Sequence, residues 1–515
     1  MLSDTPARLC EYARPLNGAD CSAIIDTPAA QAAFGGPLTD GAGALNTDDE
    51  LLLQGLFVRI WRHLKVQSAD NEPLTKATTP DNLRQQLDLA VSRHGVDADA
   101  LLNLIDVYLE EAVRTGNTRY MQSLWGHTLI PGLAGDMLAS LTNTSMHTYE
   151  VSPMATLIEQ EMVQTMARIA GYDAGEGVFT SGGSNGNLYG LLCARDWKLP
   201  GVQHDGLSGR TLVAFISDES HYSVKMAANV LGIGLDHMIG IPCDAEGKMD
   251  VTALSQEIDN QKQAGRMPFC VVATAGTTVR GAFDPLSEIA EVCARERLWL
   301  HVDACWGGTA LLSPKHRSLL TGIELADSLC WDPHKLMGMS ITCSVFLTRN
   351  VNTLARVCSH GDGANYLFHE DNAEYDRGRI SLQCGRRVDA LKLWLAWKSL
   401  GHSGWQKRVD RCMELAGELE AKVRSNARLV LMSERQFTNV CLCYVPADSD
   451  GIDLNALNSN IRDRISMEGR FMVTKAVLDG RVIIRPVINN PEVNEAILDE
   501  LLAEIIRHGD ELSES

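Results

Sequence analysis

Between residues 170 and 350 short β-rich runs alternate with amphipathic helical segments, and no other feature of the sequence narrows the fold as much. The runs at 211–216, 238–241, 269–273, 298–302, 328–331 and 342–347 read as strands, with helices at 251–262 and 286–296 between them. Such alternation implies crossover connections, and hence a mostly parallel sheet covered by helices. In an open sheet of this kind ligands gather outside the carboxyl ends of the strands. The predicted fold class is therefore α/β, and the polar residues to weigh are those just past a strand end.

The 515 residues exceed the roughly 250–300 that one core usually serves, so two or three domains are expected. Residues 1–47, rich in Ala, Gly, Pro, Asp and Thr, read as a leader, and apolar residues at helical spacing follow over about 48–120. Near the other end, a helical stretch at 387–423 leads to strand-like runs at 440–445 and 481–488 and a last helix near 494–507. The expected division is a leader and helical segment at 1–125, a large α/β domain at 126–395 and a small α+β domain at 396–515.

With 46 Lys and Arg against 66 Asp and Glu the formal charge is −20, and no Lys/Arg-rich run offsets it. Such a chain repels phosphate backbones and anionic lipid at long range, so no nucleic-acid or membrane partner is expected. No uncharged apolar run reaches the ~18 residues needed to cross a bilayer, and the acidic start MLSDTPARLCEYARPLNGAD lacks the apolar core of a signal peptide. A cytoplasmic location is expected. The 14 cysteines show no paired metal-ligand spacing, so they read as reduced thiols and no metal site is expected.

Four segments carry chemistry. Trp331-Asp332-Pro333-His334-Lys335 puts a lysine at a strand end, where taken alone it could be an ordinary loop lysine. Leu300-His301-Val302-Asp303-Ala304 would carry the Asp303 carboxylate inside, which is costly unless a cation meets it; a turn or cap residue is the alternative. The turn from Phe179 to Asn187, reading FTSGGSNGN, opens a helix with small residues and exposed N–H groups, a site suited to phosphate, although it is neither a Walker A loop nor GxGxxG. Ser220-His221-Tyr222-Ser223 follows the strand at 211–216, with a solvated loop histidine as the plain alternative.

Together, a phosphate cradle, a carboxylate, a flat ring and a lysine on one sheet edge are what pyridoxal 5′-phosphate (PLP) demands. The lysine forms the Schiff base, the carboxylate keeps the pyridine nitrogen protonated, and the imidazole stacks on the ring.

The sequence also resembles the group II PLP-dependent amino acid decarboxylases of the aspartate-aminotransferase fold (PLP fold type I). The matching words are Asn143-Thr144-Ser145-Met146 with Tyr149-Glu150, Ser220-His221-Tyr222-Ser223, TAGTTVRGAFDP at 274–285, HVDACWGG at 301–308, DPHK at 332–335 and Gln383-Cys384-Gly385-Arg386. They stand in the family's order from about residue 110 onward, and the text is most similar to glutamate and cysteine sulfinate decarboxylases. The resemblance implies Lys335 as the Schiff-base lysine, Asp303 as partner of the pyridine nitrogen and His221 as the stacking residue, with a share in proton transfer. It places Gly183 and Ser184 at the phosphate, with His334 and Thr278 also at the cofactor. Arg485, in the apolar run Val482-Ile483-Ile484-Arg485, matches the arginine that binds the substrate carboxylate. A bidentate fork suits that task, with an internal salt bridge as the alternative.

The loop 360–379 is long and polar enough for a lid. By resemblance its Tyr375 protonates the intermediate across a dimer interface, which implies a homodimer with shared active sites and makes the helices of 48–120 candidate dimer surface. Where glutamate decarboxylases place a Gln before a Leu, this chain reads Met121-Gln122-Ser123-Leu124, so Ser123, or Gln122 after a one-residue slip, would meet the distal end of the substrate. The expected reaction is α-decarboxylation of an acidic amino acid (glutamate, cysteine sulfinate or aspartate), with 2,4-diaminobutyrate decarboxylation or transamination as alternatives. Asp332 stands where many glutamate-type relatives have Asn.

Overall fold

The computed structural model describes residues 46–67, 69, 72–76, 78–87, 89–358, 367–368 and 373–514. The expected leader lies outside the described residues except for its last two positions, and so does most of the expected lid at 360–379. The chain divides into two compact units, one ending at Arg114 and the other starting at Thr115.

The first unit is helical. Thr79 and Asp97 accept hydrogen bonds from the N–H groups of Asn82 and Ala100, and so start the helices Pro80–Gln86 and Ala98–Glu111. The longest helix of this unit, Thr47–Gln67, has no buried residue in the single chain. It approaches Ala98–Glu111 closely because Gly55 has no side chain: a Cβ there would stand 2.5 Å from Leu102. An Arg59–Asp106 ion pair at 2.6 Å ties the two helices together.

In the second unit the strands, in chain order, are β1 (Tyr120–Met121), β2 (Glu176–Thr180), β3 (Leu212–Ser217), β4 (Met238–Ile241), β5 (Met267–Thr274), β6 (Trp299–Asp303), β7 (Ser328–Trp331), β8 (Ser344–Thr348), β9 (Leu429–Leu431), β10 (Leu442–Tyr444), β11 (Met472–Leu478) and β12 (Arg481–Arg485). Seven of them form one sheet in the order β2-β8-β7-β6-β5-β3-β4. The neighbours from β4 to β7 pair in parallel, whereas β8 runs antiparallel to both β7 and β2. The sheet is thus mostly parallel, as the alternation implied. Every residue of β3, β6, β7 and β8 is buried, because helices cover both faces and the strands read as continuous apolar runs.

The second sheet has the order β1-β11-β12-β10-β9. Tyr120–Met121 lies parallel to β11, so two residues from the segment expected as 1–125 complete the C-terminal sheet. The other expected boundary, 395/396, falls inside the helix Asp389–Arg424. That helix is broken at Gly401, whose φ of 63° is left-handed and suits glycine.

Among the described residues no helix is long and apolar enough to cross a membrane. The described cysteines are unpaired, and most of them are buried.

Candidate active site

Parallel strands deliver their carboxyl ends to one edge, and that edge carries the residues singled out above. His221 lies just past β3, Asp303 ends β6, and Asp332 to Lys335 follow β7; the glycine turn at 181–183 follows β2. Gly183, Ser184, His221, Thr278, Asp303, His334 and Lys335 all line one cavity of about 300 Å³.

Asp303 is held from several sides. Asn187 Nδ2 donates to its Oδ2 at 2.9 Å and the Cys305 N–H donates to its Oδ1 at 3.2 Å. Burial pushes the carboxyl up, but the Lys335 ammonium and these donors outweigh it and keep Asp303 below the usual carboxylate range. The site therefore offers an ionised, fixed acceptor.

Asn187 is the hub of this network. Its amide also donates to Ser223 Oγ at 2.9 Å, and its Oδ1 is 3.0 Å from His301 Nε2. His301, fully buried, is pushed down to about 4 by burial. It is therefore neutral, donating from Nε2 to Asn187 and accepting Ser328 Oγ at Nδ1, 2.9 Å away. The same logic fixes His221. Its Nδ1 receives the Ser223 N–H at 3.3 Å and lies 2.7 Å from the Ser223 hydroxyl, so Nδ1 is an acceptor and the proton sits on Nε2. Burial also lowers the His221 pKa, which favours that neutral ring.

Lys335 Nζ lies 3.2 Å from Asp332 Oδ2. Burial disfavours the ammonium, yet Asp332, followed by Cys305 and Asp303, raises Lys335 above the ordinary lysine value. His334 Nδ1 lies 2.7 Å from the Cys343 carbonyl and 3.3 Å from the Cys343 N–H, and its Nε2 faces Asp332 at 3.8 Å.

At the turn, Gly182 has φ 132°, a backbone that favours glycine. A Cβ on Gly183 would collide with Cys305 Sγ and stand 2.7 Å from Asp332 Oδ2. Only glycine lets the start of the helix Gly183–Lys198 come so near the ends of β6 and β7. The free N–H groups of that helix start are where an anion is favoured.

Residues 80–445 match the pyridoxal-dependent decarboxylase conserved domain. The chain belongs to the pyridoxal-dependent decarboxylase family. It is 39% identical over 448 residues to the mouse acidic amino acid decarboxylase GADL1, covering 84% of this chain and 81% of that protein. It is 36% identical over 477 residues to rat cysteine sulfinic acid decarboxylase, covering 90% and 97%. The crystal structure of mouse CSAD superposes with a TM-score of 0.87 at 34% identity, covering 90% of this chain and 99% of that one. The chain is thus a PLP-dependent amino acid decarboxylase of fold type I.

The cavity of this decarboxylase fits its cofactor. It combines a lysine amine, an ionised carboxylate, a neutral imidazole and an anion-binding turn kept open by Gly183. Other expected residues lie outside it. Gln122 Oε1 is engaged by Arg462 at 3.3 Å and Ser123 Oγ by the Tyr120 hydroxyl at 2.9 Å, while the next two residues, Leu124 and Trp125, line the cavity. Tyr375 and Arg485 are also not among the lining residues; the Tyr375 ring packs 5.3 Å from that of Tyr149, and Arg485 meets the wall through the carbonyl of Thr278, which lines the cavity.

Arg485 is buried and donates to the Thr278 and Gln122 carbonyls, the second at 3.0 Å. Its Nε has no partner, and among the described residues no carboxylate pairs with it. Burial pushes its pKa down to about 10. The alternative of an internal salt bridge is therefore not what the structure shows.

Sequence reasoning missed Asn187, Trp125 and Trp306. Asn187 was traceable in principle: it follows Gly183 by four residues and so lies on the same helix face, one turn further in.

Proposed function

We propose that the chain removes the α-carboxylate of an acidic L-amino acid as CO₂, leaving the amine, with cysteine sulfinate and aspartate ahead of glutamate. The observation that carries this reading is Arg485, a buried guanidinium whose hydrogen bonds go only to backbone carbonyls and whose Nε is unpartnered. A buried cation without an anion is costly, and a substrate carboxylate would remove that cost. The names of the relatives, an acidic amino acid decarboxylase and a cysteine sulfinic acid decarboxylase, agree with an acidic substrate. Trp125 on the cavity wall favours the shorter acids.

PLP, when bound, supplies a sink for the electron pair that departing CO₂ leaves behind. The chain does the rest. Lys335 would hold the cofactor through its amine. Asp303 would hold the proton of the pyridine nitrogen, and the neutral His221 ring would bind the cofactor ring. The Gly183–Ser184 helix start would bind the phosphate, with His334 and Thr278 as further cofactor residues. Arg485 and the walls made by Trp125 and Trp306 orient the bond to be broken and keep water out, which decides between decarboxylation and transamination.

Tyr375 returns a proton to Cα in the neighbouring subunit's site, so the enzyme works as a cytoplasmic homodimer. In the single chain Leu141 is 79% and Met154 66% exposed, an apolar surface suited to burial against a second copy. Sedimentation that found an active monomer, or native protein recovered in a membrane or secreted fraction, would contradict these parts.

Purified protein with PLP should release CO₂ from cysteine sulfinate or aspartate in an amino acid panel, and Lys335→Ala should abolish turnover. Keto acid in place of CO₂, or full turnover by Lys335→Ala, would overturn the reading.

A further inference from the structure

Two carboxylates border Lys335. Asp303 faces it from the end of β6, but among the described residues only Asp332 lies within ion-pair distance of Nζ, at 3.2 Å. Asp332 is fixed in turn: it is 2% exposed, its Oδ1 accepts the Ser344 hydroxyl at 2.5 Å, and its N–H donates to the Cys305 carbonyl at 3.3 Å. The other titratable groups facing this pair are Cys305 just past β6, Cys330 on β7, Cys343 just before β8, His221 beyond β3, and His334, whose Nε2 is 3.8 Å from Asp332. The three cysteines cannot carry a positive charge and the His221 ring is neutral, so none of these four draws Asp332 away.

Resting on the assignment of Lys335 as the residue that bonds PLP, we propose that Asp332 is a positioning residue that governs cofactor loading. It holds Lys335 as an ammonium at the strand end, and the lysine joins the cofactor only when that hold is broken. In the bonding step the ammonium gives one proton to solvent, the free amine adds to the aldehyde carbon of PLP, and the carbon–nitrogen double bond forms as water leaves. No oxidant or reductant is consumed. The Asp332 carboxylate opposes the first event, because a nearby anion stabilises the charged amine. It also sits against Gly183, at the turn that would carry the phosphate, so two anions compete for one cation and one helix start.

Asp332→Asn keeps the size of the side chain and an acceptor for Ser344 while removing the charge. In the full chain freed of cofactor, acetylation of Lys335 by acetic anhydride across a pH series, read by peptide mass, tests the hold without PLP. The midpoint should move down by about one pH unit or more in Asp332→Asn. Added PLP should then bond to Lys335 about tenfold faster near neutral pH, followed by the absorbance of the new bond. An acetylation midpoint that stays or rises while both chains bond PLP normally sinks the proposal alone, as does a lowered midpoint with no gain in bonding rate. If neither chain bonds PLP at Lys335, the assignment of the lysine falls and the proposal with it. Should the variant not fold, the unaltered chain decides: its Lys335 midpoint lies above that of its exposed lysines, and a midpoint at or below theirs overturns the idea.

Discussion

Several arginines of this molecule are buried, and the surroundings of two sets differ. Arg377 and Arg386 share Glu159, at 3.2 and 3.0 Å, and send further N–H groups to the carbonyls of Gly177, Phe179 and Met146. Arg485 has backbone carbonyls but no anion. The first group has its anion within the chain, although Arg386 Nε, like Arg485 Nε, has no partner: it joins the helix Pro153–Ala170, β2 and the segment past 376. The second is incomplete within the chain. Arg408 is also buried and bonded only to carbonyls, those of Leu336 and Asn489, so the lack of an anion does not by itself mark a ligand site; at Arg485 an unpartnered Nε beside the cofactor cavity's Thr278 is added to it.

Removing the shared anion is the largest test of this contrast. Glu159→Gln leaves two buried guanidinium groups without their carboxylate and should destabilise the protein by about 3–5 kcal/mol in urea unfolding. Arg485→Met should do the opposite, leaving unfolding stability unchanged or raised while kcat/KM falls about 10²–10³-fold, or ~3–4 kcal/mol. If Arg485→Met unfolded readily and Glu159→Gln did not, the contrast would be reversed.

The same contrast explains what the sequence could disclose. Lys335 and Asp303 were legible because each stands where an apolar run stops, and the parallel sheet brings all such stops to one edge. The roles of Glu159 and Arg386 were not. They lie 227 residues apart, and Arg386, quoted within Gln383-Cys384-Gly385-Arg386, meets an anion on another helix. Strand β11 was missed because its residues alternate between buried and exposed, with Lys475 in the middle, so it makes no apolar run. The strands β2 and β8 show the limit of the alternation argument: it anticipated a run near 342–347 but could not show that β8 reverses direction to pair with both β2 and β7. At Gln122 and Ser123 the word match points to a segment of which Leu124 and Trp125 are the residues that reach the cavity.

Asn187 tests the contrast on a neutral group. It is buried like Glu159, but its partners include Asp303 and Ser223, which line the cofactor cavity. Asn187→Ala removes one donor to Asp303 and leaves His301 without its acceptor, a loss of ~1–3 kcal/mol. PLP affinity, measured by titration, should weaken about tenfold, with a smaller change in unfolding midpoint. A stability loss without a change in PLP affinity would place Asn187 with the Glu159 group instead.

The smallest expected effect is the acid dependence of the Glu159 cluster. Burial alone would push the Glu159 carboxyl up, but Arg386 and then Arg377 outweigh it and hold the group below its ordinary value. An acid whose pKa is depressed in the folded state contributes stability that is complete above its unfolded value, about 4.3, and declines as pH falls through the lower folded value. The stability gap between the unaltered protein and Glu159→Gln should therefore be constant from neutral pH down to about 5 and narrow below 4, by ~1.4 kcal/mol for each unit of depression. Urea midpoints of the two proteins at a series of pH values measure that gap. Arg485→Met supplies the control, since Arg485 pairs with no described carboxylate whose protonation could loosen it, and its gap from the unaltered protein should not narrow in the same acid range. A gap at Glu159 that stays constant to pH 3 would mean that the two arginines hold the carboxyl less firmly than their 3.0–3.2 Å contacts imply.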